Sequence, residues 1–305
     1  MRPAASVILL TTLLGAGQGL FLALVAVQLL GTAPKAFFVG GSALSLTLLV
    51  AGLAASFFHL GHPERAWRSA VMWRTSWLSR EVIVLPAFMA AVFAYAAAHV
   101  EGQTPASAWI AAAGVVLCFA LFVCTGMIYA CLKFLQEWHT AWTPVNYFLL
   151  GTASGLTLAA PLAAVTAPQW ARPFAAAAIG LGALAYLCRL AALRRNSGLR
   201  PVSTLATAIG VKHPVIRQVA QGFMGGSFNT REFFHGRPRE TVVAVRWTFL
   251  LLLFPVPALL LAVAGSSFLL LCVAFALQYA GLVAERWYFF AEAKHPQNLY
   301  YQAMS

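Results

Sequence analysis

The sequence contains no aspartate, and its eight acidic residues are all glutamates. Charged residues make up only 9% of the 305 positions, where a soluble protein carries about a quarter. A chain so poor in charge cannot cover a water-facing surface. With 61% hydrophobic residues and a mean hydropathy of +0.79, it must keep most of its surface in lipid. Metal-ligand spacings are also lacking. The five cysteines, Cys118, Cys124, Cys131, Cys188 and Cys272, all fall in apolar runs. They form no C-x-x-C pair and match no iron–sulfur or zinc pattern, so they read as small buried hydrophobes. The N-terminus has no short cleavable signal, and its first apolar run is long enough to be a retained helix. No histidine falls near the middle of an apolar run. His59, His62, His99, His139, His213, His235 and His295 lie at run ends or in loops. A membrane b-type haem generally uses two facing histidines inside the spans, so no haem is expected. Electrons should therefore enter and leave on one side of the membrane.

What is present is a succession of apolar runs, each near the length of about 20 residues that crosses a bilayer as a helix. A helix satisfies its own backbone hydrogen bonds, as lipid requires. Eight spans are expected, near 6–30, 37–58, 80–100, 107–134, 143–165, 170–193, 241–264 and 266–290. The fold class is thus all-α: a polytopic membrane protein with a bundle of eight transmembrane helices in a single domain, 1–305. A long polar segment, about 194–240, interrupts it. Pro255 and Pro257 should kink the seventh span, and Pro86 is placed to bend the third. In the long segment, Ser203 and Pro214 are candidate starts of short helices. The aromatic, glycine-rich stretch from Phe223 to Gly236 reads either as a protein contact or as a loop folded over its own helices.

Eight spans bring both termini to one side. That side receives 18 of the 20 lysines and arginines, and the other only Lys35 and Arg172. The positive-inside rule places both termini and the long segment in the cytoplasm. The net charge of +12 flanks membrane helices, so an anionic leaflet explains it better than nucleic acid.

Polar chemistry gathers in one loop. It runs from His59 through His62, Pro63, Glu64, Arg65, Trp67 and Arg68 to Trp73, Arg74, Trp77, Arg80 and Glu81. His59 closes the second span and Glu81 opens the third, so the two can meet at one depth. A quinone needs a slot between helices, polar groups for its oxygens, and a proton donor or acceptor near the polar surface. Histidine exchanges protons near neutral pH, and a glutamate at a helix end can carry a second proton. Trp67 or Trp77 could flank a flat ring, and Arg80 would hold Glu81 ionised if it pointed inward. A plainer reading stays open. In it, His59 serves only its own backbone, Glu81 pairs with Arg80, Arg65 or Arg68, and the tryptophans are interface anchors. Two further clusters, 136–139 and Glu285-Arg286-Trp287, sit toward the same basic face. Glu285 and Arg286 could form an internal pair.

With these residues laid out, the chain resembles the membrane-anchor subunits of the dimethyl sulfoxide reductase family. The resemblance rests on Phe58-His59-Leu60-Gly61, Pro63, Arg65-Ala66, then Ser76, Leu78-Ser79-Arg80-Glu81, with eight spans. It implies a complex of a molybdopterin catalytic subunit, an iron–sulfur subunit and this anchor. The anchor would bind quinone, ubiquinone or menaquinone, but no haem or metal. The family's quinone-site histidine and glutamate would fall on His59 and Glu81. From the loop's own residues rather than from the resemblance, Arg65, Trp67, Trp77 and Arg80 are the further candidates to line the pocket. Gln136 to Thr140, Gly222 to Glu232 and Lys294 to Tyr301 look closer to anchors of cytoplasm-facing sulfite-oxidising enzymes. The expected function is quinone-linked electron transfer in a bacterial cytoplasmic membrane, with sulfite oxidation ahead of S-oxide reduction. A secondary transporter would instead need broken helices and midplane polar groups, often repeated. A purely structural tether is the third reading.

Overall fold

A computed structural model describes residues 1–102, 104–200, 204–217, 233 and 235–296. Among them the regular structure is helical, and eight helical stretches are long and apolar enough to cross a membrane. The helices are α1 (Ala5–Leu30), α2 (Lys35–Phe57), α3 (Trp77–Glu101), α4 (Thr104–Ala130), α5 (Trp142–Thr166), α6 (Ala171–Ser197), α7 (Leu205–Ile209), α8 (Arg239–Leu252), α9 (Pro255–Ala264) and α10 (Phe268–Glu292). The short α7 lies in the long polar segment, and α8 and α9 together make the seventh span.

Two spans form the centre. In α1 and α5, 72% and 67% of the most apolar window is buried, against 28% in α3 and α6. Small residues let the two approach. Gly15 and Gly19 face Gly151 and Gly155, and a Cβ placed on Gly155 would sit 2.1 Å from the Gly19 carbonyl carbon. Spacing of small residues at i and i+4 permits such backbone contact. The pairing ascends in both helices, so α1 and α5 run parallel, as two odd-numbered spans must. Around this axis α2 packs on α1, α6 on α5, α3 on α4, and α8 and α9 on α10. The N-terminus meets the end of α10: the Met1 amine donates to the Ala293 carbonyl at 2.8 Å.

Several boundaries differ from expectation. The third span begins at Trp77 rather than Arg80, because the Ser76 hydroxyl accepts the Ser79 N–H at 3.3 Å and caps the helix. Helix α4 ends at Ala130, before the expected 134. Pro255 starts a new helix instead of kinking a continuous one, with the break at Leu253–Phe254. A proline is tolerated at a first helical turn, where its missing N–H costs little. The break carries no polar side chain, and Gly281 of α10 packs directly on its backbone. Helix α3 continues through Pro86. Thr204, paired with Thr207, caps α7, whereas Ser203 lies outside the described residues. No helix begins at Pro214. The stretch 218–232 and residues 297–305 also lie outside the described residues.

Candidate functional site

The cap at Ser76 fixes where α3 begins, and so places Glu81 just over one turn inside the helix. Its carboxylate faces the bundle and is 5% exposed. The Thr125 hydroxyl of α4 donates to Glu81 Oε1. No described cation pairs with Glu81 within ion-pair distance. On the neighbouring α4 and α5, the rings of Tyr129 and Tyr147 stack with their centres 5.6 Å apart.

The loop residues divide differently. Arg80 turns back over the loop: its Nε donates to the Trp73 carbonyl at 2.9 Å and its Nη2 to the Arg74 carbonyl at 2.8 Å. Its guanidinium lies 4.3 Å from the Trp77 ring centre. Arg80 and Trp77 therefore form one stacked pair at the mouth of α3, and Arg80 does not hold Glu81 ionised by direct contact. Glu64 takes both His62, at 3.0 Å, and Arg65, at 3.6 Å. Trp67 is 67% exposed, with Arg68 stacked on it. His59 is exposed. Partial burial pulls its imidazole below the ordinary value, which favours the neutral ring at pH 7. No hydrogen bond or ion pair joins His59 to Glu81. The geometry thus gathers Glu81, Trp77 and Arg80 at one helix start and leaves His59, Arg65 and Trp67 at the outer surface of the loop.

Sequence reasoning named the pair Glu285–Arg286 but missed the buried ion cluster it belongs to. Glu285 and Arg286 do touch, at 3.4 Å, but the closer partner of Glu285 is Arg189 of α6, at 2.8 Å. Arg189 also reaches Glu292 at 3.8 Å. The guanidinium of Arg286 lies 3.7 Å from the Tyr147 ring centre. Arg189, Glu285 and Arg286 are each at most 3% exposed. A buried charge persists only when paired, and this cluster ties α6 to α10. Its signal was a lone arginine inside an apolar run. Thr125 and Tyr147 carried no comparable signal.

Among the described residues, no group of three or more histidine, cysteine or acidic side chains could hold a metal ion. Eight helices long and apolar enough to cross a bilayer define a multi-pass membrane protein, with a buried carboxylate, Glu81, just inside the start of one of them. The chain belongs to the DMSO reductase anchor subunit (DmsC) family, whose model matches residues 2–301. It is 52% identical to a sulfite dehydrogenase subunit of Allochromatium vinosum, over the full length of both chains. The class is therefore the membrane anchor of a molybdoenzyme complex.

Proposed function

We propose that this chain is the quinone-reactive anchor of such a complex, passing electrons between a partner iron–sulfur subunit and quinone, in sulfite oxidation. The observation that carries this reading is the Glu81 carboxylate. It is buried at the start of α3, bonded to Thr125 and, among the described residues, free of a paired cation. Three residues before it on α3, Leu78 presents apolar surface, 51% exposed, along which a lipid-borne ring can approach.

A bound quinone supplies a redox couple of two electrons and two protons. The chain's part is to hold the ring and move the protons. Glu81 exchanges a proton with a quinone oxygen, and the Thr125 hydroxyl orients its carboxyl group. The Trp77–Arg80 stack flanks the ring at the start of α3. His59, as a neutral imidazole, hydrogen-bonds to the ring's second oxygen from the loop side. Arg65, Arg68 and Arg74, with Trp67, form a basic aromatic surface on which the iron–sulfur subunit docks, with the molybdopterin subunit beyond it. The 18-to-2 charge bias supports both termini in the cytoplasm of a bacterium and the complex on the cytoplasmic side. Sulfite is preferred because the full-length relative is a sulfite dehydrogenase subunit. Reduction of an S-oxide, with quinol oxidised, would use the same anchor site in reverse.

Replacing Glu81 with glutamine tests the assignment in the purified complex. Quinone-linked turnover should fall by on the order of 100-fold, while subunit assembly and reduction of a soluble dye by the partner subunits stay intact. Unchanged quinone-linked turnover would remove Glu81 from the mechanism.

A further inference from the structure

The turn that leads into α3 exposes three apolar side chains in a row. Val71, Met72 and Trp73 are 63%, 61% and 53% exposed, and the site described above uses none of these side chains. The backbone beneath them is closed. The Met72 carbonyl accepts the N–H groups of Thr75, at 3.1 Å, and of Ser76, at 2.9 Å. The Trp73 carbonyl accepts Nε of Arg80, and the Arg74 carbonyl its Nη2. The Val71 N–H donates to the Arg68 carbonyl at 3.1 Å. Three consecutive carbonyls of an exposed turn are therefore served by the protein itself. Among the described ion pairs, none includes Arg80, so its guanidinium is directed to main-chain oxygens rather than to a carboxylate.

A turn in water has no need of such a brace, because solvent serves its carbonyls. Where apolar surroundings displace water, a carbonyl left without a donor is costly. The position of the turn says which surroundings these are. Arg80 lies in the first turn of α3, a helix long and apolar enough to cross a bilayer. Its two bonds hold the exposed turn within one arginine side chain of the level where that helix begins. Trp73 and Trp77 each carry an arginine stacked on the ring, Arg74 at 5.4 Å and Arg80 at 4.3 Å. Tryptophan collects at membrane–water boundaries, and a long cationic side chain there keeps its charge on the polar side. Contiguous exposed apolar side chains mark a surface that something covers. A protein interface carries about one hydrogen bond per 100–200 Å², and this turn has its carbonyls already engaged, which favours lipid over protein. We propose that the turn 71–76 is an interfacial anchor, with Val71, Met72 and Trp73 inserted at the headgroup–acyl boundary of the leaflet where α3 begins. Its partner is the lipid surface, and Arg80 is its internal brace. Arg65, Trp67 and Arg68, on the short 3-10 helix Pro63–Ala70, precede it and stay available to the partner subunit. The anchor holds whether or not Glu81 reacts with quinone. It sets the depth at which α3, and with it Glu81, lies below the headgroups.

A photoreactive benzophenone amino acid in place of Met72, in the assembled complex in its own membrane, reads what covers the turn. The same probe at Leu184, exposed on α6, gives the reference for lipid contact. Illumination should cross-link position 72 to phospholipid, with a yield comparable to that at 184. In Arg80→Lys, which keeps the charge but lacks the planar fork, the lipid adduct at 72 should fall about fivefold, the worth of one hydrogen bond. A cross-link from 72 to a partner subunit, or no adduct at 72 where 184 gives one, would overturn the anchor. An unchanged yield in Arg80→Lys would overturn the brace on which the anchor rests. Should that variant fail to assemble, the adduct formed at 72 in the otherwise unaltered chain decides alone.

Discussion

Glu81 and His59 stand at opposite ends of one loop, in different environments that suit the separate tasks proposed for them. Glu81 is buried and bonded to Thr125, whereas His59 is exposed on the loop. Partial burial lowers the His59 pKa below the ordinary 6.5. The folded protein therefore binds a proton at His59 less readily than the unfolded chain does. Its contribution to stability rises with pH between the lowered value and 6.5, and the same shift keeps the imidazole neutral through that window. The acid limb of quinone turnover should accordingly lie below pH 6.5, and His59→Gln should remove it. A pH–rate profile of the two complexes checks this. A limb that stays in place in His59→Gln belongs to another group. The residues at this scale were legible only in part. His59, Trp77, Arg80 and Glu81 stand out because polar side chains are rare beside apolar runs. Thr125 and Tyr147 do not, since threonine and tyrosine are common in membrane helices. Their meeting with Glu81 and Arg286 depends on how α4 and α5 are rotated, which spacing along the chain does not give.

Helix existence followed from hydropathy, because lipid leaves the backbone little alternative. Helix ends did not, because they depend on single side chains. The Ser76 hydroxyl starts α3 at Trp77, and Pro255 restarts the seventh span after a break. The central packing was hidden for another reason. Glycines are scattered through the chain, and only the geometry singles out those that let α1 and α5 touch. Gly155→Ala would press a Cβ against the backbone of Gly19 and Leu20 at 2.1 Å. It should destabilise the protein by about 1–3 kcal/mol, read as a lower thermal midpoint in detergent. Gly180→Ala, on α6 with nothing within 4 Å of the added carbon, should cause no such loss. Equal behaviour of the two variants would mean that α1 and α5 are not the tight pair described.

For the whole molecule, the sequence offers a side of the membrane for the proposed site more readily than the site's geometry. The charge bias needs no packing to be read, and Met1 meets Ala293, just past the end of α10. The buried ion cluster of Arg189, Glu285, Arg286 and Glu292 joins residues far apart in the chain. Sequence pattern could offer only the neighbours Glu285 and Arg286. Polar chemistry nonetheless gathers toward the helix ends that carry most of the lysines and arginines, where Glu81 meets Thr125 and the ion cluster borders Glu137. A quinone bound elsewhere would leave this convergence without a task. The most direct test is a structure of the assembled complex with a bound quinone analogue. The account predicts the analogue beside the start of α3, with a ring oxygen about 3 Å from the Glu81 carboxyl. An analogue seated at the opposite face of the bundle, with Glu81 untouched, would contradict it.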